Sequence, residues 1–416
     1  MRRLLLLALL FVCSFANAQM GQTIRGYYLP YAKFNIGADG SYIVNSTAIT
    51  TRMASQAFSG AFIGNDLKEQ VFGNFDELPA SLGGDINLGA YFVVSPDSLF
   101  KRTGMSWFGA FNHRTHFNSL IPRDAFGLAA FGNARYEGQT ADISGLEANL
   151  LSYQQLQAGL MFNRGNTGIG LSFIKGHENQ RLSVPNASVF TAMDGEYIDL
   201  SLVMSARQTD RERRDFHHFN GAGASVDFFT FINFGFLEDL NHRLLIEVKD
   251  LGFITWNNRA TSYRIDSAYR FDGFAIDNLF TLSDSVFGPN ISDSALLANA
   301  STSRQSYTTA LPAFFHIADV IQVHEELLVM GGLMYRMVAN YNIYFYLRGF
   351  YRLNPNVEVS ARIAWGGYGV LNGGAAVNLR IKQKYHLTLG TENIEGWLLP
   401  QYARGSSAFL GLQRRL

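Results

Sequence analysis

From Asn342 to Tyr351 the chain alternates: Ile343, Phe345, Leu347 and Tyr351 hold one parity, and Asn342, Tyr344, Tyr346 and Arg348 hold the other. Residues two apart share a face of a β-strand, so this segment reads as a strand with one greasy and one polar face. Asn354-Pro355-Asn356 is a tight turn. Beyond it, Val357, Val359, Ala361, Ile363 and Trp365 alternate with Glu358, Ser360 and Arg362, which makes a hairpin. A third strand opposes Ala375, Val377, Leu379 and Ile381 to Asn372, Gly374, Asn378 and Arg380, and Lys382-Gln383-Lys384 turns it back into Tyr385, Leu387 and Leu389. The same period runs through Ile198 to Met204, through Leu244 to Lys249 and through Tyr263 to Phe271. Less regular strands fill the remainder. The spacing predicts an all-β chain of roughly 12 to 16 antiparallel strands, with 14 as the central expectation.

Alternation alone also fits a soluble sandwich. Composition separates the two readings. Charged residues are 16% of the chain, well below the roughly 25% of an ordinary soluble domain, which argues against disorder and against a charged coiled coil. A sandwich exposes its polar face and loads it with Lys and Glu, whereas here that face is rich in Asn, Ser, Gly and Tyr. Greasy outside and polar inside is the pattern of a transmembrane β-barrel. Lys+Arg and Asp+Glu both number 34, and no stretch gathers a basic face, so nucleic acid is not an expected partner.

The first residues point to export. Arg2 and Arg3 precede an apolar run from Leu4, and Ala16-Asn17-Ala18 precedes Gln19, the layout of a signal peptide (1–18) cleaved near Ala18. The single Cys, Cys13, lies inside it; a lipoprotein acylated at Cys13 is the alternative, opposed by Val12 where a small residue is usual. The mature chain then has no thiol for disulfides or cysteine chemistry. No apolar stretch after Gln19 approaches the 18 or so residues of a spanning helix. These features place the chain in the outer membrane of a Gram-negative bacterium, in contact with outer-membrane lipid. Residues 19–54, with Tyr27, Tyr28, Tyr31, Phe34 and Tyr42, form either a first strand or a plug, and 55–416 form the barrel. Short turns such as Asn354 to Asn356 face the periplasm, and long loops such as Glu392 to Ser406 and Ser283 to Ser306 face outside, the latter with a short helix at Ser294 to Asn299. Ala408, Leu410, Leu412 and Leu416 resemble the C-terminal signal read by the barrel-assembly machinery, with departures at Arg414 and at Leu416, where an aromatic residue is usual.

Several motifs carry a further resemblance. Phe131-Gly132-Asn133 with Tyr136-Glu137-Gly138, Gly168-Ile169-Gly170 with Phe173-Ile174-Lys175-Gly176, Asp250-Leu251-Gly252-Phe253-Ile254 followed by Trp256, and the closing Thr391-Glu392-Asn393 are the residues concerned. In these the chain resembles a family of outer-membrane barrels of unknown function from Bacteroidetes-type bacteria, marked by a DLGFIxW motif, and through it is similar to the long-chain fatty-acid transporter-like barrels. The likeness covers mostly the chain after residue 120. It implies location and a barrel of about 14 strands, and supplies no substrate.

Chemistry must therefore be read from residues. His113 and His116 have helical metal-ligand spacing, but on a strand an offset of three puts them on opposite faces, so no metal is expected. No nucleophile elbow, zinc-protease, P-loop or dinucleotide fingerprint occurs, and no cofactor or catalytic residue is assigned. Charges on the polar parity carry more information. Glu247 and Lys249, then Arg264, Asp266 and Arg270, then Arg348, Glu358, Arg362 and Arg380 are the candidate lumen-lining residues. Such charges need water or partners, so they either brace a filled lumen or form a filter. In an open lumen the excess of Arg would favour anions. Gly252, flanked by Leu251, Phe253 and Ile254, is the candidate strand kink, either a lateral exit or a bulge that sets curvature. The functional expectation is passive transport of a small, apolar-leaning solute. The alternative is a non-enzymatic scaffold in a secretion or surface-assembly complex, and an outer-membrane enzyme is a distant third.

Overall fold

The structure, a computed structural model, describes residues 33–76, 78–213, 217–234, 241–272 and 300–415. Residues 1–32, which hold the expected leader, the helix expected at Ser294 to Asn299, most of Ser283 to Ser306, and Leu416 lie outside the described residues. The first strands are β1 (Phe34–Ser46), β2 (Ala80–Val94), β3 (Ser106–Ile121), β4 (Gln139–Asp142), β5 (Leu146–Phe162), β6 (Thr167–Thr191) and β7 (Tyr197–Gln208). They are followed by β8 (Gly221–Phe234), β9 (Asn241–Trp256), β10 (Thr261–Asp272), β11 (Ser301–Arg304), β12 (Tyr307–Ala310) and β13 (Phe314–Gln322). The last are β14 (Leu327–Arg336), β15 (Asn342–Asn354), β16 (Val357–Gly367), β17 (Asn372–Ile381), β18 (Tyr385–Thr391) and β19 (Gly405–Arg415). Helices α1 (Thr51–Ser59) and α2 (Asn65–Phe72) lie between β1 and β2, α3 (Arg123–Phe131) between β3 and β4, and α4 (Ile394–Leu398) between β18 and β19.

Fourteen strands close into an antiparallel barrel. The ring runs β1, β2, β3, β5, β6, β8, β9, β13, β14 and on through β19. It shuts where β19 returns to β1, from Asn35↔Arg415 to Asn45↔Gly405. The wall thus starts at Phe34, inside the 19–54 segment, rather than at residue 55. Closure leaves no unpaired edge, the condition for a sheet to stand in lipid. The short turns at 163–166, 323–326, 355–356 and 382–384 share one end with both ends of the ring, Phe34 and Arg415. Long connections carrying all four helices share the other. There, Met53, Leu67, Val71, Phe72, Phe75 and Phe126 pack α1, α2 and α3 into a small core of their own.

Five strands stand outside the ring. Beyond the point where β6 leaves β8, its distal half pairs with β7 on one side and β4 on the other; β7 carries β10, and β10 carries β11. This sheet extends the wall past the long-loop end. β12 pairs with the distal end of β9.

Exposure follows parity around the ring. Leu156, Leu171, Leu347, Ile363 and Leu389 point outward and are each more than half exposed. A closed girdle of apolar side chains of this extent is unstable in water and suits a bilayer. The interior is polar only in part. Phe229, Leu245, Phe314, Met330, Tyr344 and Phe350 form a buried apolar cluster on the lumen side of β8 to β16, so one wall of the lumen is greasy on both faces.

The strand irregularity of the DLGFI segment falls at Asp250, two residues before Gly252. Val226 pairs with Leu251 and Phe228 with Val248, leaving Lys249 and Asp250 together opposite Asp227. Asp250 takes a φ of 54°, a left-handed value that Asp tolerates better than most residues. This bulge flips the parity of β9: Glu247 is buried before it, Ile254 and Trp256 after it, while Leu251 and Phe253 turn outward. The strand continues to Trp256 without a break. Gly252 has a different task, because a Cβ there would sit 2.1 Å from the Ala224 carbonyl oxygen. It lets β8 and β9 approach each other.

Leu347→Arg, on the outward face near the middle of β15, is expected to destabilise the barrel by about 2–4 kcal/mol if that face meets lipid. Urea titration of folding into phospholipid vesicles measures this, and a cost near zero would place Leu347 away from the bilayer core.

Candidate functional site

The middle of the lumen is crossed by buried charge. Asp85 projects inward from β2 and Arg336 from β14, and Arg336 Nη1 donates to Asp85 Oδ1 at 2.5 Å. β2 and β14 lie seven strands apart in either direction around the ring, so this ion pair spans the full lumen. His116 of β3 sits between them, its Nδ1 2.7 Å from Asp85 Oδ1 and its Nε2 3.0 Å from the Tyr368 hydroxyl. All three side chains are buried. His113 points elsewhere, with its ring 5.8 Å from that of His177. Among the described residues no metal-binding group of three is present.

Three further clusters surround this bridge. Arg114 of β3 pairs with Asp250 at the β9 bulge. Asp250 Oδ1 also accepts from Gln155 Nε2 at 3.0 Å, and its backbone N–H donates to Asp227 Oδ1 at 2.7 Å. Glu247 of β9 pairs with Lys249 at 2.8 Å and with His316 of β13 at 3.3 Å, and His316 Nε2 is 2.7 Å from the Tyr346 hydroxyl. Glu392, in the loop after β18, takes both Arg348 and Arg362 at 2.6 Å. Arg362 donates further to Asn372 Oδ1 at 2.6 Å. Charges so enclosed persist only when paired and hydrogen-bonded, and these are.

Below this belt, toward the short-turn end, lies a cavity of about 440 Å³. Its mouth is formed by the turns around Arg164, Glu325 and Pro355, and its inner wall reaches Arg114, Asp227 and Arg348. Phe108, Phe229, Phe350 and Phe409 supply apolar wall, and Asn112, Gln157, Ser360 and Asn378 polar wall. It is a vestibule that stops at the charge belt.

Six of the nine charges singled out by parity lie on ring strands on the lumen side. Glu247, Lys249, Arg348 and Arg362 join the belt, while Glu358 and Arg380 line the vestibule. Arg264, Asp266 and Arg270 do not. They stand on β10, which pairs with β7 in the extension from Thr261↔Gln208 to Asp272↔Tyr197. There Arg270 meets Asp199 at 2.6 Å in an exposed pair. Period two reports a two-faced strand, and a strand beyond the rim has two faces as a wall strand does.

Sequence reasoning missed Asp85, Arg114, His116, Asp250, Arg336 and Glu392. Asp85 was available in principle, since it alternates with Ile86 and Leu88, both outward. Glu392 sits in a loop and Asp250 at a bulge, where parity carries no information.

A family model described as "Family of unknown function (DUF5723)" matches residues 93–391. The chain belongs to this family. The matched span runs from the end of β2 to the end of β18 and holds every belt residue except Asp85, which precedes it, and Glu392, which follows it directly. No curated protein matches the chain. Solved barrels are similar to this DUF5723 member in outline only. The toluene transporter TodX of P. putida has a TM-score of 0.43 at 8% identity, with 94% of this chain and 91% of that one covered. The translocator domain of autotransporter NalP from Neisseria meningitidis scores 0.36 at 7% identity, with 95% of each chain covered. A Rh. blastica porin mutant scores 0.27 at 6%, with 92% and 99% covered.

Breaking one partner of the lumen-spanning bridge leaves the other buried without its counter-charge. Arg336→Met is expected to destabilise the barrel by about 3–5 kcal/mol, and the double variant Arg336→Met with Asp85→Leu by clearly less than the two single losses combined. A double-mutant cycle on vesicle-folded protein measures this, and strict additivity would deny the coupling.

Proposed function

We propose that this DUF5723 barrel, exported after cleavage near Ala18 and inserted by the barrel-assembly machinery, passes a small, apolar-leaning solute across the outer membrane of a Gram-negative bacterium. The observation that carries this reading is the vestibule: a lumen space of about 440 Å³, within the size range of small-molecule sites, with aromatic and amide walls. The belt above it limits what passes. Pairs such as Asp85 and Arg336 cross the middle of the lumen, so the reading is a gated or stepwise conduit rather than an open porin. No catalytic step is assigned to any residue, and no cofactor is called for.

A second reading, a scaffold in a secretion or surface-assembly complex, is favoured by one feature. The extension of β4, distal β6, β7, β10 and β11 projects a sheet past the long-loop end, and one of its faces carries exposed Arg264, Asp266 and Arg270. Such a face would serve a protein partner on that side of the membrane.

Purified barrel in planar bilayers is expected to show no steady large conductance, and Asp85→Asn with Arg336→Gln to raise it. Proteoliposomes should take up small uncharged aromatic solutes faster than empty liposomes. Absence of uptake in both wild type and variant, together with copurification of a defined protein, would replace transport by the scaffold reading.

A further inference from the structure

The short-turn end of the ring is charged unevenly. Along the neighbouring strands β17, β18, β19, β1, β2 and β3, the rim carries Lys382, Lys384, Arg414, Lys33, Lys101 and Arg102 on its outward and solvent sides. Against them, among the described residues, stands the single acid Asp97. The described turns across the ring lean the other way, with Glu325 and Glu326 after β13 and Glu358 opposite Arg352 on β15 and β16. Lys33 is paired with Asp97 at 3.1 Å, whereas Lys101, Arg102, Lys382, Lys384 and Arg414 have no ion pair among the described residues. All five are exposed.

Two tight turns present these charges in strained conformations. Leu99 and Arg102 exchange both backbone hydrogen bonds at 2.9 Å, which leaves Phe100 and Lys101 at the tip with φ of 50° and 62°. Between β17 and β18, Lys382 and Gln383 take φ of 50° and 57°. Successive left-handed positions favour Asn and Gly, because a larger side chain is crowded there. Here each pair includes a lysine, and a basic residue follows directly, Arg102 in one turn and Lys384 in the other. Backbone strain of this kind collects at functional sites.

The lipid-facing girdle begins directly above. Arg414 lies on the outward parity of β19, two residues beyond Leu412, which is 52% exposed, and opposite the outward Ile36 of β1. Its guanidinium carbon is 5.6 Å from the centre of the Tyr385 ring, and tyrosine at the end of a wall strand is typical of a membrane interface. The Arg415 N–H donates to the Lys384 carbonyl at 2.8 Å, which ties the 382–384 turn to this strand end and sets Lys384 beside Arg414. Phe100, 74% exposed, adds an apolar tip to the other turn. Cations interleaved with exposed apolar and aromatic side chains fit a lipid surface better than an acidic protein. Arg414 is also the residue that departs from the C-terminal assembly signal.

We propose that this arc docks anionic phospholipid headgroups, whose phosphates accept from Arg414, Lys382 and Lys384 on one side and from Lys101 and Arg102 on the other. A zwitterionic headgroup brings its own cation and would leave these five charges uncompensated. The inference requires that the girdle meets lipid, which Leu347→Arg tests separately, and it does not depend on what the lumen passes.

The test follows spin-labelled phosphatidylglycerol and spin-labelled phosphatidylcholine at the surface of the full-length barrel in phosphatidylcholine vesicles, at low and at high salt. Phosphatidylglycerol is expected to associate several-fold more strongly at low salt, and the preference to shrink as salt is raised. Lys101→Gln, Arg102→Gln, Lys382→Gln, Lys384→Gln and Arg414→Gln together should bring the ratio to about one. Heat-modifiable gel mobility reports folding. Should the combined variant fail to fold, Lys382→Gln with Lys384→Gln and Lys101→Gln with Arg102→Gln carry the test as separate pairs, each expected to lower the preference in part. No preference in the wild type, or a preference that folded variants keep, overturns the proposal. Absence of lipid preference together with polyglutamate binding that the same substitutions abolish overturns it too, and assigns the arc to an acidic protein partner.

Discussion

In a bilayer the backbone has no water to bond to, and each N–H and C=O of a spanning segment must find its partner in protein. The ladders of the ring meet that demand strand by strand, and one pairing, β19 onto β1 over Asn35 to Asn45, removes the last open edge. Everything else follows from that closure. Once the ring shuts, one parity of each strand faces lipid and the other a lumen, so Leu347 and Arg348, neighbours in sequence, face opposite solvents. The closure also forces charged side chains into a confined space where they must find each other.

Within that space the lumen is braced rather than left open. The Asp85 and Arg336 pair joins opposite walls, and Arg114, Glu247 and Glu392 organise smaller clusters around it. In low dielectric such pairs hold firmly when complete and are costly when broken. They divide the lumen into a vestibule on the short-turn side and a filled middle. The DLGFI segment serves this arrangement through its bulge. By inserting Asp250 beside Lys249, β9 delivers two consecutive charged side chains to the interior and then turns Leu251 and Phe253 out to the girdle. Gly252 permits the close approach of β8 that keeps the ladder intact through this change of parity.

Much of the wall was legible in the residues alone. The alternations through Asn342 to Ile381 correspond to β15, β16 and β17, with Asn354-Pro355-Asn356 as the turn between the first two. Parity also put Arg348, Glu358, Arg362 and Arg380 on the inner face. It erred for Arg264, Asp266 and Arg270 because period two cannot distinguish a wall strand from one in a sheet beyond the rim. The aromatic filling of the lumen by Phe229, Phe314 and Phe350 escaped notice for a related reason: a strand apolar on both faces loses its alternation.

What the sequence by itself determined is local: which segments are strands, which parity is greasy, and where the tight turns fall. These depend on neighbours two or three positions apart. What only the tertiary structure decided is who meets whom across the lumen. Asp85 and Arg336 are 251 residues apart, and Arg348 reaches Glu392 from a strand to a loop. Such partnerships depend on ring order, on register and on one bulge, none of which leaves a short-range trace.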